Sequence, residues 1–283
     1  MRGTWELAAF TPLFAFLSLV PLSTPHRGII TTMNPWLIAI PSFAAGLAGL
    51  TVYGGVHPRS QLFGHTVART DHARKLALTF DDGPNPAITP KLLDLLDRYN
   101  ARATFFVVGK WVRESPSLVK EISARGHLLG NHTDTHPNLF FCGPRETRTE
   151  LLRCSEAIGQ ATWEEPRWFR PPYGFRSPWL GPLVLQQRMR MVMWTLIPGD
   201  WIVKPADWLI ERMKPIAVHA QNLPPKNQPS SGDILCLHDG DYSRPNGNRA
   251  HTLAALDYWL PRWRDLGLEF VTMNQTNGKV VEA

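Results

Sequence analysis

The chain has 283 residues, 43% of them hydrophobic and 19% charged, which supplies a sizeable core and excludes a disordered polyelectrolyte. A formal charge of +6 suits acidic surroundings such as an anionic cell-wall polymer or phospholipid. No basic block is interleaved with aromatics, which argues against nucleic acid as a partner.

The first sixty residues differ from the rest. Trp36 to Gly54 carries no charge and is rich in Ala, Gly and Leu. Its length matches the roughly 20 apolar residues that cross a bilayer, so a membrane span is expected over 36–54. A buried hairpin of the soluble domain is the alternative. An earlier apolar stretch, Leu7 to Leu22, is broken by Pro12 and Pro21 and reads as a signal-peptide core or a second span. Met33 is an alternative start. Arg2 and Arg27 precede the span while Arg59 and Arg69 follow it, so flanking charge does not set the orientation. Residues 61–74 read as a linker and 276–283 as a tail.

From Lys75 onward, apolar strand-like runs alternate with amphipathic helical stretches. The expected strands are Lys75–Phe80, Ala103–Val108, Leu128–Asn131, Trp168–Arg170, Met191–Leu196, Ile234–Leu237 and Glu269–Thr272. Helices are expected over Thr89–Tyr99, from Ser115-Pro116 to Gly126, and over Arg145–Gly159, Pro178–Gln187, Ala206–His219 and Thr252–Leu266. Ser115 before Pro116 is an N-cap signal and Gly126 a fitting residue past a helix end. Gln221–Ser231 reads as a loop. About seven βα units around one core imply an α/β fold with a parallel sheet, closed into a barrel or wound open. Cys142, Cys154 and Cys236 have no CxxC spacing and cannot all pair. They read as buried thiols, with a Cys142–Cys154 disulfide as the alternative.

The reactive side chains fall in one register. Asp81 and Asp82 follow the first strand, His132 and His136 the third, Arg170 ends the fourth, Asp200 follows the fifth and His238 ends the sixth. Parallel α/β folds place substrate sites at the carboxyl ends of their strands, whereas surface charges would scatter over helices and both rims. Adjacent carboxylates repel unless a cation compensates; alone, Asp81-Asp82 before Gly83-Pro84 also fits an Asx-type turn. Histidines four apart can face one metal from a helical turn, with a carboxylate as third ligand and positions left open for chemistry. Ten histidines in the chain make one such pair weak evidence by itself. Pro171-Pro172 set a rigid bend after Arg170, from which the arginine fork can reach a carboxylate and a backbone N–H can meet an oxyanion. A carboxylate such as Asp200 beside His238 would fix its tautomer and raise its pKa.

Together TFDDGP, HTDTH, FRPPYG, DW and LHD, in this order from Lys75 to Met273, resemble the five motifs of the polysaccharide deacetylases, carbohydrate esterase family 4 or the NodB homology domain. The resemblance implies a distorted (β/α)7 barrel over about 75–275. It implies a divalent metal, zinc first and Co, Mn or Ni as alternatives, held by Asp82, His132 and His136. It further implies Asp81 as base tethered by Arg170, His238 as acid supported by Asp200, and an oxyanion donor in the Tyr173 backbone N–H. Trp201 and Leu237 are implied at the substrate. Ile197 stands where many relatives have aspartate, and Cys236 where leucine is common, which bears on the acyl pocket and sugar contacts.

The expected activity is hydrolysis of N-acetyl groups from a chitin-like oligomer or peptidoglycan. Asp81→Asn and His238→Ala are expected to fold and to lose deacetylation. The alternatives are a hydrolase of the same fold acting on a lipid-linked sugar or small cyclic amide, and a glycan-binding protein without turnover. The expected location is a single-pass membrane protein with its catalytic domain outside the cytoplasm, or a secreted protein.

Overall fold

The structure is a computed structural model that describes residues 34, 36–223 and 230–276. Two compact units are distinguished, 1–44 and 45–283. The described part of the first is the opening of helix α1, Trp36–Val56. That helix has no polar face, and its large apolar side chains, Phe43 and Leu47 among them, are exposed. By length and composition, Ile38–Val56 is long and apolar enough to cross a membrane. A buried hairpin is not what these residues form. The stretch from Leu7 to Leu22 lies outside the described residues.

The second unit alternates strands and helices in the order β1 (Thr66–Val67), β2 (Lys75–Asp81), α2 (Thr89–Arg98), β3 (Thr104–Val107), α3 (Gly109–Glu114), α4 (Pro116–Ala124), β4 (Leu128–Asn131), α5 (Pro144–Thr162), β5 (Trp168–Phe169), α6 (Leu180–Gln186), β6 (Arg190–Val192), α7 (Ala206–Gln221), β7 (Asp233–His238), α8 (Ala250–Asp265) and β8 (Glu269–Val271). Every pairing is parallel, in the order β1-β6-β5-β4-β3-β2-β7. β7 runs along β2 from Leu76 to Asp81, while β3 takes Thr79–Asp81 and β8 takes Lys75–Ala77. Beyond β6, Leu196 bridges to Leu235, and the Cys236 N–H donates to the Leu196 carbonyl at 2.9 Å. This contact curls the sheet into an incomplete barrel.

The strands read as continuous apolar runs because both faces are covered. Leu78, Phe80, Phe105 and Leu235 pack outward against Leu92, Leu96, Leu256 and Leu260 of the helices. α4 ends in a Schellman motif: Gly126, at φ +79°, donates to the Ser123 carbonyl at 2.8 Å, and His127 donates to Ile122 at 3.2 Å.

Several expectations need correction. Residues 61–74 are not simply a linker, since β1 pairs with β6 there and makes eight strands among the described residues. Two residues carry too little periodicity to announce a strand. Ser115 occupies the N-cap position of α4 without a side-chain cap bond, because the short helix α3 runs into it. Cys142 and Cys154 are free buried thiols, so the disulfide does not form. The loop expected over Gln221–Ser231 and the tail expected over 276–283 lie largely outside the described residues.

Candidate active site

Parallel pairing of β2 with β7 sets Asp81 opposite His238 and Thr79 opposite Cys236. Arg170, at the end of β5, is fully buried. Its Nη1 donates to Asp81 Oδ1 at 2.8 Å and to Thr79 Oγ1 at 2.7 Å, and its Nη2 donates to the Met193 carbonyl at 3.1 Å. The guanidinium lies over the Phe106 ring, 4.3 Å from its centroid. Asp81 thus has one oxygen held by a cation. Its other oxygen accepts the Cys236 thiol at 3.4 Å.

Asp82, one residue past the strand, takes φ 70°, which turns its side chain away from that of Asp81. His132 Nε2 approaches Asp82 Oδ1 to 3.5 Å and His136 Nε2 to 3.2 Å. The two histidines do not share a helical turn as expected. They sit on an irregular loop after β4 in which Thr133 and His136 have φ 67° and 62°. Asn131 Oδ1 accepts the Thr133 N–H, and Glu150 Oε2 accepts those of Asp134 and Thr135, all within 2.9 Å. These bonds hold a backbone that neither helix nor strand would supply.

The donor set fits a metal ion. One ligand atom from each of Asp82, His132 and His136 lies within 4.8 Å of the other two. His132 Nδ1 is 2.8 Å from the Arg170 carbonyl, which can only accept, so the proton sits on Nδ1 and the Nε2 lone pair faces the pocket. Burial pushes the His136 pKa below its ordinary value against the pull of Asp82, which keeps that imidazole neutral. Asp82 Oδ1 is buried with no hydrogen bond directed at it, the condition of an anion that awaits a cation.

Across the pocket, His238 Nδ1 lies 2.8 Å from Asp200 Oδ1. Asp200 Oδ2 accepts the His238 backbone N–H at 2.7 Å and the Thr252 hydroxyl at 3.2 Å. Burial pushes the imidazole pKa down, but the Asp200 charge and hydrogen bond raise it to about 9. Trp201 is half exposed, with its ring edge toward His238 at 5.5 Å between centroids. Tyr173 has φ 58°, and its N–H meets no protein acceptor among the described residues.

The sequence-derived residues therefore converge on one cavity of about 550 Å³, with Asp81, Asp82, His132, His136, Tyr173 and His238 in its wall. Arg170 and Asp200 stand behind that wall, bonded to Asp81 and His238, whereas Leu237 lies apart. The period-two alternation of β7 turns it with Leu235 into the helix-facing core, fully buried and outside the pocket. Sequence reasoning also missed Tyr242, whose ring stacks on His136 with centroids 4.3 Å apart and planes 14° apart. Only its place four residues past His238 in a Gly- and Asn-containing loop could have pointed to it.

Comparison with known proteins agrees with this geometry. The polysaccharide deacetylase family model matches residues 68–191. A chitooligosaccharide deacetylase of Sinorhizobium fredii is 35% identical over 211 residues, covering 72% of this chain and 93% of that protein. The solved structure of the Bc1960 peptidoglycan N-acetylglucosamine deacetylase superposes with a TM-score of 0.65 at 30% identity, covering 75% and 91% of the two chains. A family 4 acetyl xylan esterase from Clostridium thermocellum, solved with a cobalt ion, superposes with a TM-score of 0.60 at 30% identity, covering 71% and 89%. The fold is a parallel, incompletely closed α/β barrel with carboxylates and imidazoles gathered at its strand ends. The chain belongs to the polysaccharide deacetylase family, carbohydrate esterase family 4, and is a hydrolase of that family.

Proposed function

We propose that this protein removes N-acetyl groups from an amino-sugar polymer, a chitin-like oligomer or peptidoglycan, with a divalent metal held by Asp82, His132 and His136. Zinc is the first choice for this one-carboxylate, two-imidazole set, with Co, Mn or Ni as alternatives. Such an ion, when bound, brings the pKa of water near ~7 and polarises the amide carbonyl. Asp81, held by the Arg170 guanidinium at 2.8 Å, accepts the proton of the attacking water. The Tyr173 N–H, which meets no acceptor among the described residues, donates to the oxygen on which negative charge develops. His238, protonated through Asp200, delivers a proton to the departing sugar nitrogen. Trp201 closes over the acetyl methyl from the pocket rim.

The observation that carries this reading is the opposition of two groups across one donor set. Asp81 is tethered to the Arg170 guanidinium, and His238 is held as a cation by Asp200. Binding alone requires neither. The apolar, exposed α1 favours attachment to a membrane. On this reading the protein passes once through the membrane, with the catalytic unit outside the cytoplasm beside the polymer; secretion is the alternative. The same helix favours, as a second reading, an amino sugar still linked to lipid. The deciding experiment measures metal-dependent acetate release from chitooligosaccharides, peptidoglycan and lipid-linked N-acetylated sugar. Release from a polymer supports the first reading, and release from the lipid-linked sugar alone supports the second. Tight glycan binding without release from any of them would make the protein a lectin-like relative.

A further inference from the structure

We propose that Arg176 is a positioning residue that holds the Tyr173 amide in its oxyanion-facing orientation by latching the FRPPYG loop to the segment that follows α1. The inference rests on the reading of Tyr173 given above. The chain past Arg170 is rigid at Pro171-Pro172 and then takes two consecutive left-handed residues, Tyr173 at φ 58° and Gly174 at φ 72°. Such a conformation persists only where its surroundings over-determine it. From the front the two prolines do so, and Gly174 and Phe175 close the turn by donating to the Pro171 and Pro172 carbonyls at 2.9 and 3.0 Å.

From behind, the clamp is Arg176. Its side chain is fully buried, yet no carboxylate pairs with it among the described residues. Its Nη1 donates to the Ser60 carbonyl at 2.6 Å, its Nη2 donates to the His57 carbonyl, and its backbone N–H donates to the Gly55 carbonyl at 2.9 Å. Three carbonyls at and just beyond the end of α1 are thereby gathered onto a single residue. Burying a cation against carbonyl dipoles alone is costly, and burial does push its pKa down, to about 10. A surface arginine would seal this corner without that cost, so the arrangement is explained by what it fixes. The approach is close throughout. A Cβ on Gly55 would lie 2.6 Å from the Phe140 ring and 3.0 Å from the Arg176 carbonyl, and a Cβ on Gly181 would lie 2.6 Å from the Gly64 Cα. Residues 55–64 are thus built into the catalytic unit, where sequence reading placed the end of a hydrophobic region and the start of a linker.

The test uses the full chain with bound metal and the Arg176→Lys and Arg176→Met variants. Acetate release is measured as kcat and KM separately, with metal content and thermal melting recorded alongside. A displaced oxyanion donor should lower kcat by roughly 10- to 100-fold while KM and metal content stay near the wild-type values. Unchanged kcat per folded, metal-loaded molecule, with only a lower melting temperature, would overturn the proposal and leave Arg176 a structural residue. If neither variant folds, Gly55→Ala, whose added Cβ would press on Phe140 and the Arg176 carbonyl, disturbs the latch at its backbone bond instead. It should also lower kcat, and wild-type kcat there would equally overturn the inference. The reading it rests on fails separately: wild-type protein would then release no acetate, or Asp81→Asn would release it as fast as wild type.

Discussion

Asp200 grips His238 at two points, its Oδ1 lying 2.8 Å from the ring Nδ1 and its Oδ2 accepting the backbone N–H at 2.7 Å. The orientation of the imidazole follows from this one carboxylate, and its charge follows chiefly from it, with Asp82 and Asp81 adding to the pull.

The pH dependence has a definite sign. The folded pKa of His238 is raised from 6.5 to about 9. The stability gained from this pair is therefore complete below about 6.5 and lost as pH rises through about 9. Acid catalysis by His238 should hold to the same limit and fall above it. Asp200→Asn should move the falling limb of the kcat profile toward neutral pH and lower kcat by at least roughly tenfold at pH 8. An unmoved limb in that variant would remove His238 from the acid role.

Asp81→Asn should lower turnover by roughly 10²–10⁴-fold. The expectation of normal folding changes once Arg170 is seen, because the substitution leaves a fully buried guanidinium without its carboxylate. Breaking such a pair costs about 3–5 kcal/mol, and calorimetry should register a melting temperature lower by up to roughly 10 °C. Full activity, or loss of activity through wholesale unfolding seen by circular dichroism, would contradict this.

Chelation should abolish acetate release and lower the melting temperature, and added zinc or cobalt should restore both. Free metal at a thousand times its Kd adds about 4 kcal/mol of stability. In His132→Ala the metal-dependent rise should shrink or vanish, which differential scanning calorimetry with metal analysis would register.

His127 predicts a separate acid limb of stability. Burial, with Arg102 beside it, lowers its pKa from 6.5 to about 4, and its Nδ1 accepts the Ala103 N–H at 3.2 Å. The unfolded chain binds the extra proton between those values. The stabilisation is thus complete above about 6.5 and lost as pH falls through about 4, an effect of about 3 kcal/mol. His127→Gln should flatten this part of the stability–pH curve, and parallel curves for the two proteins would reject the assignment.

Gly126→Ala should cost about 1 kcal/mol in denaturant melts. The added Cβ has room, meeting only the flexible Arg102 side chain at 3.3 Å, so the cost comes from φ +79°. A neutral substitution would mean that the helix end relaxes.

Strand-end placement made Asp81, Asp82, His132, His136, Arg170, Asp200 and His238 legible in the sequence, because apolar runs mark parallel strands and parallel strands deliver their last residues to one rim. β2 and β7 were visible for that reason, as Lys75–Phe80 and Ile234–Leu237, each a residue or two short of its observed length. β1 was not, since two residues in a strand leave no pattern. Leu237 was misplaced because the motif names neighbours in sequence, while pleating sends neighbours to opposite faces.

The chain's local chemistry by itself determined the order of strands from β2 to β8, the candidate donor residues and the family to which the protein belongs. Tertiary structure alone decided the positive φ values at Asp82, Thr133, His136 and Tyr173, the stacking of Tyr242 on His136 and the latch of Arg176 on residues 55–60. Each depends on partners far apart in the chain, and no local periodicity encodes a contact that only the closed fold creates.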